Sequence, residues 1–148
     1  MVQVTNTSKV APTIIDARGP RFGAVITTIV LATALATNNV WVIVAQALVF
    51  AIGAFKGPQF TPYAFIFKTL VKPRLKKPGE TEDVRPPQFA QTVGLLFALT
   101  AAVGSFAGLE LVFTIAVGFA LAAAFLNAAF NFCLGCEIYL LLLRARSK

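Results

Sequence analysis

Three long stretches without a charged residue dominate the pattern of hydrophobic and polar positions. They cover residues 22–55, 86–109 and 111–136, which are 34, 24 and 26 residues long. A helix needs about 20 mostly apolar residues to cross a hydrocarbon core of about 30 Å. The first stretch therefore predicts two membrane spans, and the other two predict one each. The pattern as a whole predicts an all-α membrane protein built as a four-transmembrane-helix bundle.

Polar and turn-forming residues divide the chain around these spans. The pair Asn38-Asn39 predicts a tight turn between the first two spans. Residues 1–19 are polar or mixed and predict a cytoplasmic N-terminal segment. They contain no apolar core, so we expect no secretory signal peptide there. Residues 20–148 predict a single transmembrane domain with a cytoplasmic loop at 56–86.

The cytoplasmic loop contains a predicted helix over residues 61–72. Thr61 is a good N-cap, and Pro62 suits the first helical position. The apolar residues that follow are interrupted by Lys68 and Lys72. A short helix with one apolar and one basic face is typical of a segment that lies in the membrane interface.

The two halves of the chain resemble each other. The sequence "PRFGAVITTIVLATAL" at 20–35 is similar to "PQFAQTVGLLFALTAA" at 87–102, an offset of 67, and later matches have an offset of 70. Both halves begin on the same side of the membrane. The pattern therefore predicts two parallel hairpin repeats, with a short amphipathic interfacial helix after each hairpin. Apolar sequences also resemble one another by default, so chance similarity stays open.

The charge distribution predicts the orientation. Only 13% of the 148 residues are charged, against about 25% in a soluble domain, and the net charge is +7. The 13 basic residues lie before the first span, between the second and third, or after the fourth, and the turns at 37–40 and 105–110 contain none. The positive-inside rule places both termini and the long loop in the cytoplasm. This distribution favours contact with the lipid bilayer over nucleic acid.

The only two cysteines, Cys133 and Cys136, form a C-x-x-C motif that is followed at once by Glu137. Residues at i and i+3 lie on the same side of a helix, so a small backbone adjustment would bring the sulfurs within disulfide reach. A helix-terminal C-x-x-C is the spacing of thiol–disulfide exchange proteins. The candidate catalytic residues are therefore Cys133 and Cys136. Glu137 is either a proton relay or a solvated acid.

The predicted position of the pair weighs against a strongly activated thiol. Residues 111–143 are too long for one span, so the cysteines fall at the cytoplasmic end of the fourth span, with a bend expected at Gly135. The helix dipole is negative there, and basic residues of the loop helix would have to compensate. We expect Cys136, nearer water, to be the more reactive thiol and Cys133 to be the resolving one. Cysteine also packs as a small hydrophobic residue, which is the competing interpretation.

Other chemistry has little support in the sequence. A structural zinc site usually needs four Cys or His ligands, and the chain has two cysteines and no histidine, so we expect no metal and no cofactor. Four polar residues, which are Gln46, Gln91, Asn127 and Asn131, lie within predicted spans, where hydrogen bonding between helices is the expected role. The sequence contains no Walker loop and no Ser-His-Asp set. Whether the protein is an enzyme stays open.

Four stretches of the chain resemble a known family. They are "RGPRFGA", "AQALVFAIGAF", "PRLKKPGETEDVRPPQFAQTVGLLFAL" and "AAFLNAAFNFCLGCEIYLLL". Together they resemble the domain-of-unknown-function 4395 family of bacterial integral-membrane proteins, which implies a location in the bacterial plasma membrane. Similar sequences occur alone, beside sulfurtransferase-like or thioredoxin-like genes, or joined to thioredoxin-like domains. The resemblance thus implies that Cys133 and Cys136 are the working pair and that the partner is a cytoplasmic protein of one of those two kinds.

Two functions follow as hypotheses. The first is a membrane thiol–disulfide redox or sulfur-relay component that uses the C-x-x-C pair on the cytoplasmic side. The second is a non-catalytic accessory or structural subunit of a larger membrane protein complex. A disulfide, or an open cleft that reaches Cys133, would favour the first, and sulfurs enclosed by apolar side chains would favour the second.

The orientation can be tested with a tag after Lys148. Because the basic residues lie on one side, we expect protease to leave this tag uncut in intact cells. The same tag should be removed after the membrane is permeabilised, which controls for its susceptibility. Cleavage in intact cells would overturn the predicted orientation.

Overall fold

The computed structural model describes residues 14–16, 18–74, 81–130 and 132–146, and most of them are helical. Residues 1–13 of the predicted N-terminal segment and 75–80 of the predicted loop lie outside the described residues. The long helices are α1 (Arg18–Thr37), α2 (Val40–Phe55), α4 (Arg85–Phe106), α5 (Glu110–Phe130) and α6 (Leu134–Arg146). The segment between α2 and α4 contains a 3-10 turn (Pro58–Phe60), the short α3 (Pro62–Ile66), a π-helical turn (Phe67–Val71) and a second 3-10 turn (Lys72–Arg74). The strands are β1 (Ile14–Asp16) and β2 (Thr81–Asp83).

Three of the helices are long and apolar enough to cross a membrane. Among the described residues these are α1, α4 and α5, with 20, 22 and 21 residues, while α2 is apolar but has 16. Large apolar side chains on all four helices are exposed, for example Ile29 (61%), Leu48 (64%), Leu96 (61%) and Phe119 (62%). A soluble monomer rarely exposes so much contiguous apolar surface. Length and exposure together indicate a membrane protein.

The four long apolar helices form a closed ring. Helix α1 packs against α2 and α5, and α4 packs against the same two helices. Helix α3 lies on α1, and α6 lies on α4. The two hairpin turns meet at one end of this ring. There the Asn38 amide donates to Glu110 Oε1 at 3.4 Å, and the rings of Trp41 and Phe106 lie 5.8 Å apart.

The tightly packed core lies at the same end as the hairpin turns, which we name the turn end. Alanine dominates this core, and small side chains allow membrane helices to approach closely. The buried cluster consists of Leu31, Ala34, Ile43, Ala47, Phe50, Ala98, Ala101, Ala102, Phe113, Ala116, Val117 and Ala120.

The opposite end carries the starts of α1 and α4 and the ends of α2 and α5, and we name it the basic end. Contacts between separate helices fix this arrangement. The Gln88 amide donates to the carbonyl of Ala54 at 2.9 Å, and Arg21 Nε donates to the carbonyl of Ala128 at 3.1 Å. Lys56 and Arg85 lie at this end as well, since they border α2 and α4.

A short antiparallel strand pair at the basic end was not expected from the sequence. Ile14 pairs with Asp83 and Asp16 with Thr81 in β1 and β2. Helix α1 follows β1 almost directly and begins four residues before Phe22, the predicted start of the first span. The pairing therefore ties part of the predicted N-terminal segment to the long loop.

The predicted loop helix is confirmed in its place along the chain and in its start, whereas its location in the membrane interface stays a prediction. The Thr61 side chain caps α3 by accepting the Ala64 N–H at 3.2 Å, and Pro62 is the first helical residue. Helical turns continue to Arg74, but Phe67–Val71 are π-helical rather than α-helical. Phe67 is buried, and its ring lies 5.8 Å from that of Phe22 in α1.

Two glycines provide a matched test of helix packing. A Cβ on Gly104 would lie 2.7 Å from Val112 Cγ1 and 2.8 Å from Val112 Cβ, whereas a Cβ on Gly118 would meet nothing within 4 Å. Val112 is β-branched and cannot easily rotate away. We expect Gly104→Ala to cost about 1–3 kcal/mol through overpacking. The thermal midpoint of the detergent-solubilised protein should fall.

The control is Gly118→Ala, for which the midpoint should stay equal or rise slightly, because alanine favours helix over glycine by about 1 kcal/mol. Equal midpoints for both variants would contradict the close contact between α4 and α5.

Candidate functional site

The cysteine pair lies at the start of a helix rather than at the end of one. Helix α5 ends at Phe130 and α6 begins at Leu134, so Cys133 directly precedes α6 and Cys136 lies in its first turn. The break that the apolar length predicts is therefore confirmed. The prediction that the pair is late in the fourth span's helix is wrong, because α5 already reaches full span length before the cysteines.

The two cysteines form a disulfide. The Sγ atoms lie 2.07 Å apart and the Cα atoms 5.1 Å apart, within the usual range of about 4.4–6.8 Å. The predicted disulfide pairing is confirmed. The N–H of Cys136 also donates to Cys133 Sγ at 3.1 Å, and the N–H of Glu137 donates to the Cys133 carbonyl at 3.0 Å. The first turn of α6 is thus closed around Cys133.

This position reverses the expectation that the negative end of a helix dipole lies at the cysteine pair. The first turn of a helix has unpaired N–H groups and the positive end of the helix dipole, and one of these N–H groups points at Cys133 Sγ. A negative charge on that sulfur would be stabilised without help from the loop helix. Glu137 is exposed in the same turn, where the helix dipole also favours an acidic side chain.

Gly135 permits a close contact between α6 and α4. A Cβ at this position would lie 2.6 Å from Ala90 Cβ and 2.7 Å from Ala90 Cα, so any larger residue would push the helices apart. The predicted role of Gly135 as the bend point is wrong, because the break precedes it and Gly135 lies inside α6. One turn further along, the rings of Phe89 and Tyr139 lie 5.5 Å apart. These contacts fix the first turn of α6 against the bundle.

Arg21 holds the end of α5 from the neighbouring helix α1. Its Nε and Nη2 atoms donate to the carbonyls of Ala128 and Ala129 at 3.1 and 3.4 Å. The last carbonyls of a helix have no partner within it and carry the negative end of the dipole. The guanidinium supplies both the hydrogen-bond donors and the positive charge, so α5 can end just before the cysteines.

A cavity of about 490 Å³ lies inside the ring at the basic end, and Cys133 is part of its wall. Leu134, Gly135 and Ile138 of α6 line the same side, while Tyr63, Ala64 and Phe67 line it from the loop helix. The remaining wall residues come from the other elements at the basic end. From β1 and α1 they are Ile15, Asp16, Gly19, Pro20, Gly23, Ala24 and Thr27, and from α2 and the loop they are Val49, Phe50, Pro58, Gln59, Thr61, Lys68 and Lys72. From α4 they are Pro87, Ala90, Gln91, Val93, Gly94 and Phe97, and from α5 they are Phe119, Ala120, Ala123, Ala124 and Asn127.

Buried amides surround this cavity. The Oε1 atoms of Gln59 and Gln91, both in the wall, are buried without a hydrogen-bond partner. An unsatisfied buried polar atom costs about 1–3 kcal/mol. Gln46 is fully buried, and its Oε1 accepts the Tyr63 hydroxyl at 2.7 Å. The expected hydrogen bonding of Gln46 is thus confirmed with a partner in the loop helix, and burial raises the pKa of Tyr63.

Charged residues lie in the cavity wall near β1. Asp16 forms ion pairs with Arg18 at 2.9 Å and with Lys72 at 3.6 Å. The side-chain hydrogen bond from Arg18 is the main reason that the pKa of Asp16 falls from 3.8 to about 2. Lys68 lines the same cavity. Both lysines of the loop helix thus share the cavity wall with Cys133, whereas their predicted proximity to the cysteine pair stays a prediction.

The cavity and two of its polar groups, Asp16 and Gln59, were not predicted from the sequence. Asp16 fell in the predicted polar N-terminal segment, and Gln59 fell in the loop. The spacing of Asp16 and Arg18 was the available signal, since an acid two residues before the basic start of a helix can cap it. Asn127 lies in the wall, but Asn131 is outside the described residues. The part of the chain that the structure describes contains no group of three or more potential metal ligands.

The ion pairs of Asp16 predict a pH dependence of stability. Because the folded pKa of about 2 is below the ordinary 3.8, the carboxylate stabilises the fold fully above about pH 4 and loses this effect as the pH falls through about 2. We expect Asp16→Asn to lower the thermal midpoint at pH 7. The gap between the variant and the wild type should close between about pH 4 and pH 2. A gap that is independent of pH would contradict the ion pairs.

The comparisons with known proteins identify a family. No curated protein and no solved structure matches the chain significantly. Residues 15–144 match the family described as Domain of unknown function (DUF4395). The matched range includes the strand pair except Ile14, α1 to α5, the disulfide and most of α6. The chain therefore belongs to the DUF4395 family, as its resemblance indicated.

Proposed function

We propose that the protein is a membrane thiol–disulfide redox or sulfur-relay component in which Cys133 and Cys136 are the working pair. One observation carries the proposal. The pair forms a disulfide in the first turn of a helix, and Cys133 lies in the wall of a cavity. Both cysteine residues are half-buried rather than fully buried. A pair that served packing alone would need neither the disulfide nor the cavity.

Cys133 is the nucleophile in this proposal and Cys136 the resolving thiol, which reverses the order expected from the sequence. The Cys136 N–H and the helix dipole both stabilise a thiolate at Cys133. In the oxidising direction for this chain, the Cys133 thiolate attacks a disulfide of the partner and releases one partner thiolate. The Cys136 thiolate then attacks Cys133 Sγ, which forms the internal disulfide and releases the second partner thiol. The partner is a thioredoxin-like or sulfurtransferase-like protein on the cytoplasmic side.

The proposed topology has four spans, with both termini in the cytoplasm of a bacterial cell. Helix α2 is only 16 residues long, about 24 Å at 1.5 Å per residue. It nevertheless runs between the two ends of the ring, from the Asn38-Asn39 turn to the level of Gln91, which touches Gly53. Because α2 runs back alongside full-length spans, it crosses the same thickness of the membrane. The collection of basic residues at one end supports a cytoplasmic location for that end.

The helix contacts support two parallel repeats. In the proposed correspondence α1, α2 and α3 match α4, α5 and α6. The pairs α1–α5 and α4–α2 are then equivalent, as are α1–α3 and α4–α6, and all four pairs are in contact. The loop helix and α6 thus lie on opposite walls of one cavity. Only the second repeat carries cysteines, which places the chemistry on one side of a nearly symmetric scaffold.

Redox-state trapping tests the proposed function. Mild oxidation of the reduced protein should remove two hydrogens from the peptide that spans both cysteines, as mass spectrometry would show. Cys133→Ser and Cys136→Ser should each abolish this loss and any relay activity in the cell. Cys136→Ser should also retain a mixed disulfide with the partner on Cys133, whereas Cys133→Ser should not, so each variant controls for the other.

Full activity of both serine variants in the cell would overturn the proposal. The cysteines would then be packing residues, and the accessory or structural subunit of a membrane complex would become the better interpretation.

A further inference from the structure

The cavity changes character with depth. Near β1 its wall holds Asp16, Lys68 and Lys72, whereas deeper in the ring it is formed mainly by alanine, glycine, valine and phenylalanine residues. Phe97 and Phe119 mark the deep end, with rings 6.2 Å apart at an angle of 36°. Phe97 lies 12 residues into α4, about 18 Å along the helix. The cavity therefore extends from the basic end to the middle of the spans.

The deep part of the cavity lies close to the lipid-facing surface. Phe119 lines the cavity, yet 62% of the residue is exposed. Phe97 beside it is only half-buried. A ligand dissolved in the bilayer would meet this part of the wall at mid-span, without passing the charged groups at the basic end.

Polar contacts between these two regions would suit a ligand with ring oxygens. Gln91 lies between the basic end and Phe97 on α4, and its buried Oε1 has no hydrogen-bond partner. Its neighbour Ala90 touches Gly135, which lies between the two cysteines. Gln59 presents a second buried oxygen without a partner in the same wall. Such oxygens accept hydrogen bonds, so the ligand groups that suit them are hydroxyls on its ring.

We propose that this cavity binds the ring of a lipid-soluble quinone and that the quinone accepts electrons from the Cys133–Cys136 pair. The proposal rests on the proposed thiol redox function and names the electron acceptor. A quinone has an apolar substituent for the phenylalanine wall, and its apolar character lets it reach the site from the bilayer. The hydroquinone that forms has two ring hydroxyls, which can donate to the unpartnered Oε1 atoms of Gln59 and Gln91. The volume of about 490 Å³ falls within the usual range of small-molecule sites, about 300–1,000 Å³.

The reaction balances without another component. Two thiols lose two electrons and two protons as the bond between Cys133 Sγ and Cys136 Sγ forms. The quinone takes up both electrons, and its two carbonyl oxygens take up both protons to give the hydroquinone. The cysteines can then be reduced again by a dithiol partner at the basic end.

The reaction can be measured with the full chain in lipid nanodiscs under anaerobic conditions. The protein is first reduced and freed of reductant, and decylubiquinone is then added as the probe. This quinone has no unsubstituted ring position, so thiols cannot add to the ring. We expect one hydroquinone, followed by its ultraviolet spectrum, for each disulfide formed, followed by loss of free thiols.

Two alanines of α5 provide a cavity-filling variant and its control. Ala123 lines the cavity, whereas its neighbour Ala122 is exposed and lies outside the wall. Ala123→Leu should slow quinone reduction about tenfold or more, since extra methylene groups in a binding pocket change recognition by that order. Ala122→Leu should react like the wild type. Gln91→Leu, which keeps a similar side-chain volume, should also slow the reaction and serves as the second variant if Ala123→Leu does not fold.

Diamide, a soluble thiol oxidant, separates the two proposals. Every folded variant should form the disulfide with diamide at the wild-type rate, because this oxidant does not need the cavity. Disulfide formation with diamide but not with decylubiquinone would overturn the quinone site and leave the thiol function standing. Equal quinone rates for Ala123→Leu, Gln91→Leu and the wild type would overturn the site as well. Failure of the wild type with both oxidants would overturn both proposals.

Discussion

The contact between Gly135 and Ala90 is the constraint on which the candidate site depends. It brings the first turn of α6 so close to α4 that a single added methyl group would overlap the Ala90 backbone. Helix α6 has no fully buried residue of its own, so burial in a core cannot hold it in place. Close backbone approach supplies that contact instead, because small residues permit strong packing between helices in a membrane. The disulfide thereby acquires a fixed position in the cavity wall.

The ring of helices is packed at one end and open at the other. At the turn end, alanine and a few large side chains such as Phe113 fill the interior completely. At the basic end the interior stays open, and its polar groups are held mainly by partners at its edge, such as Asp16 with Arg18. Buried polar groups without partners are costly, so the packed end must provide the stability that Gln59 and Gln91 reduce. This division is common where a binding site occupies part of a small bundle.

Local signals allowed much of the fold to be predicted, whereas features that depend on distant pairs could not be. Uncharged stretches located the apolar helices, and Thr61-Pro62 located the start of the loop helix, since both signals act within one or two helical turns. The pairing of β1 with β2 joins residues about 67 positions apart and leaves no local pattern. The apolar length located the end of α5, but the contact that holds this end could not be predicted, because Arg21, which satisfies its carbonyls, lies more than 100 residues earlier. The cavity could not be predicted either, because it depends on helix packing that places Gln91 and Cys133 in one wall.

The position of the cysteine pair at the start of a helix follows from a mismatch between the apolar length and the bilayer. The apolar sequence after Glu110 is too long for one span, so the chain must either tilt a single helix strongly or break it. It breaks at Cys133, and a break in a helix always creates a new N-terminus with unpaired N–H groups. One of those groups now donates to Cys133 Sγ. A cysteine four residues earlier would have fallen inside α5, where every N–H is already used by the helix. The same residues in an unbroken helix would therefore lack the positive end of a dipole that a reactive thiol needs.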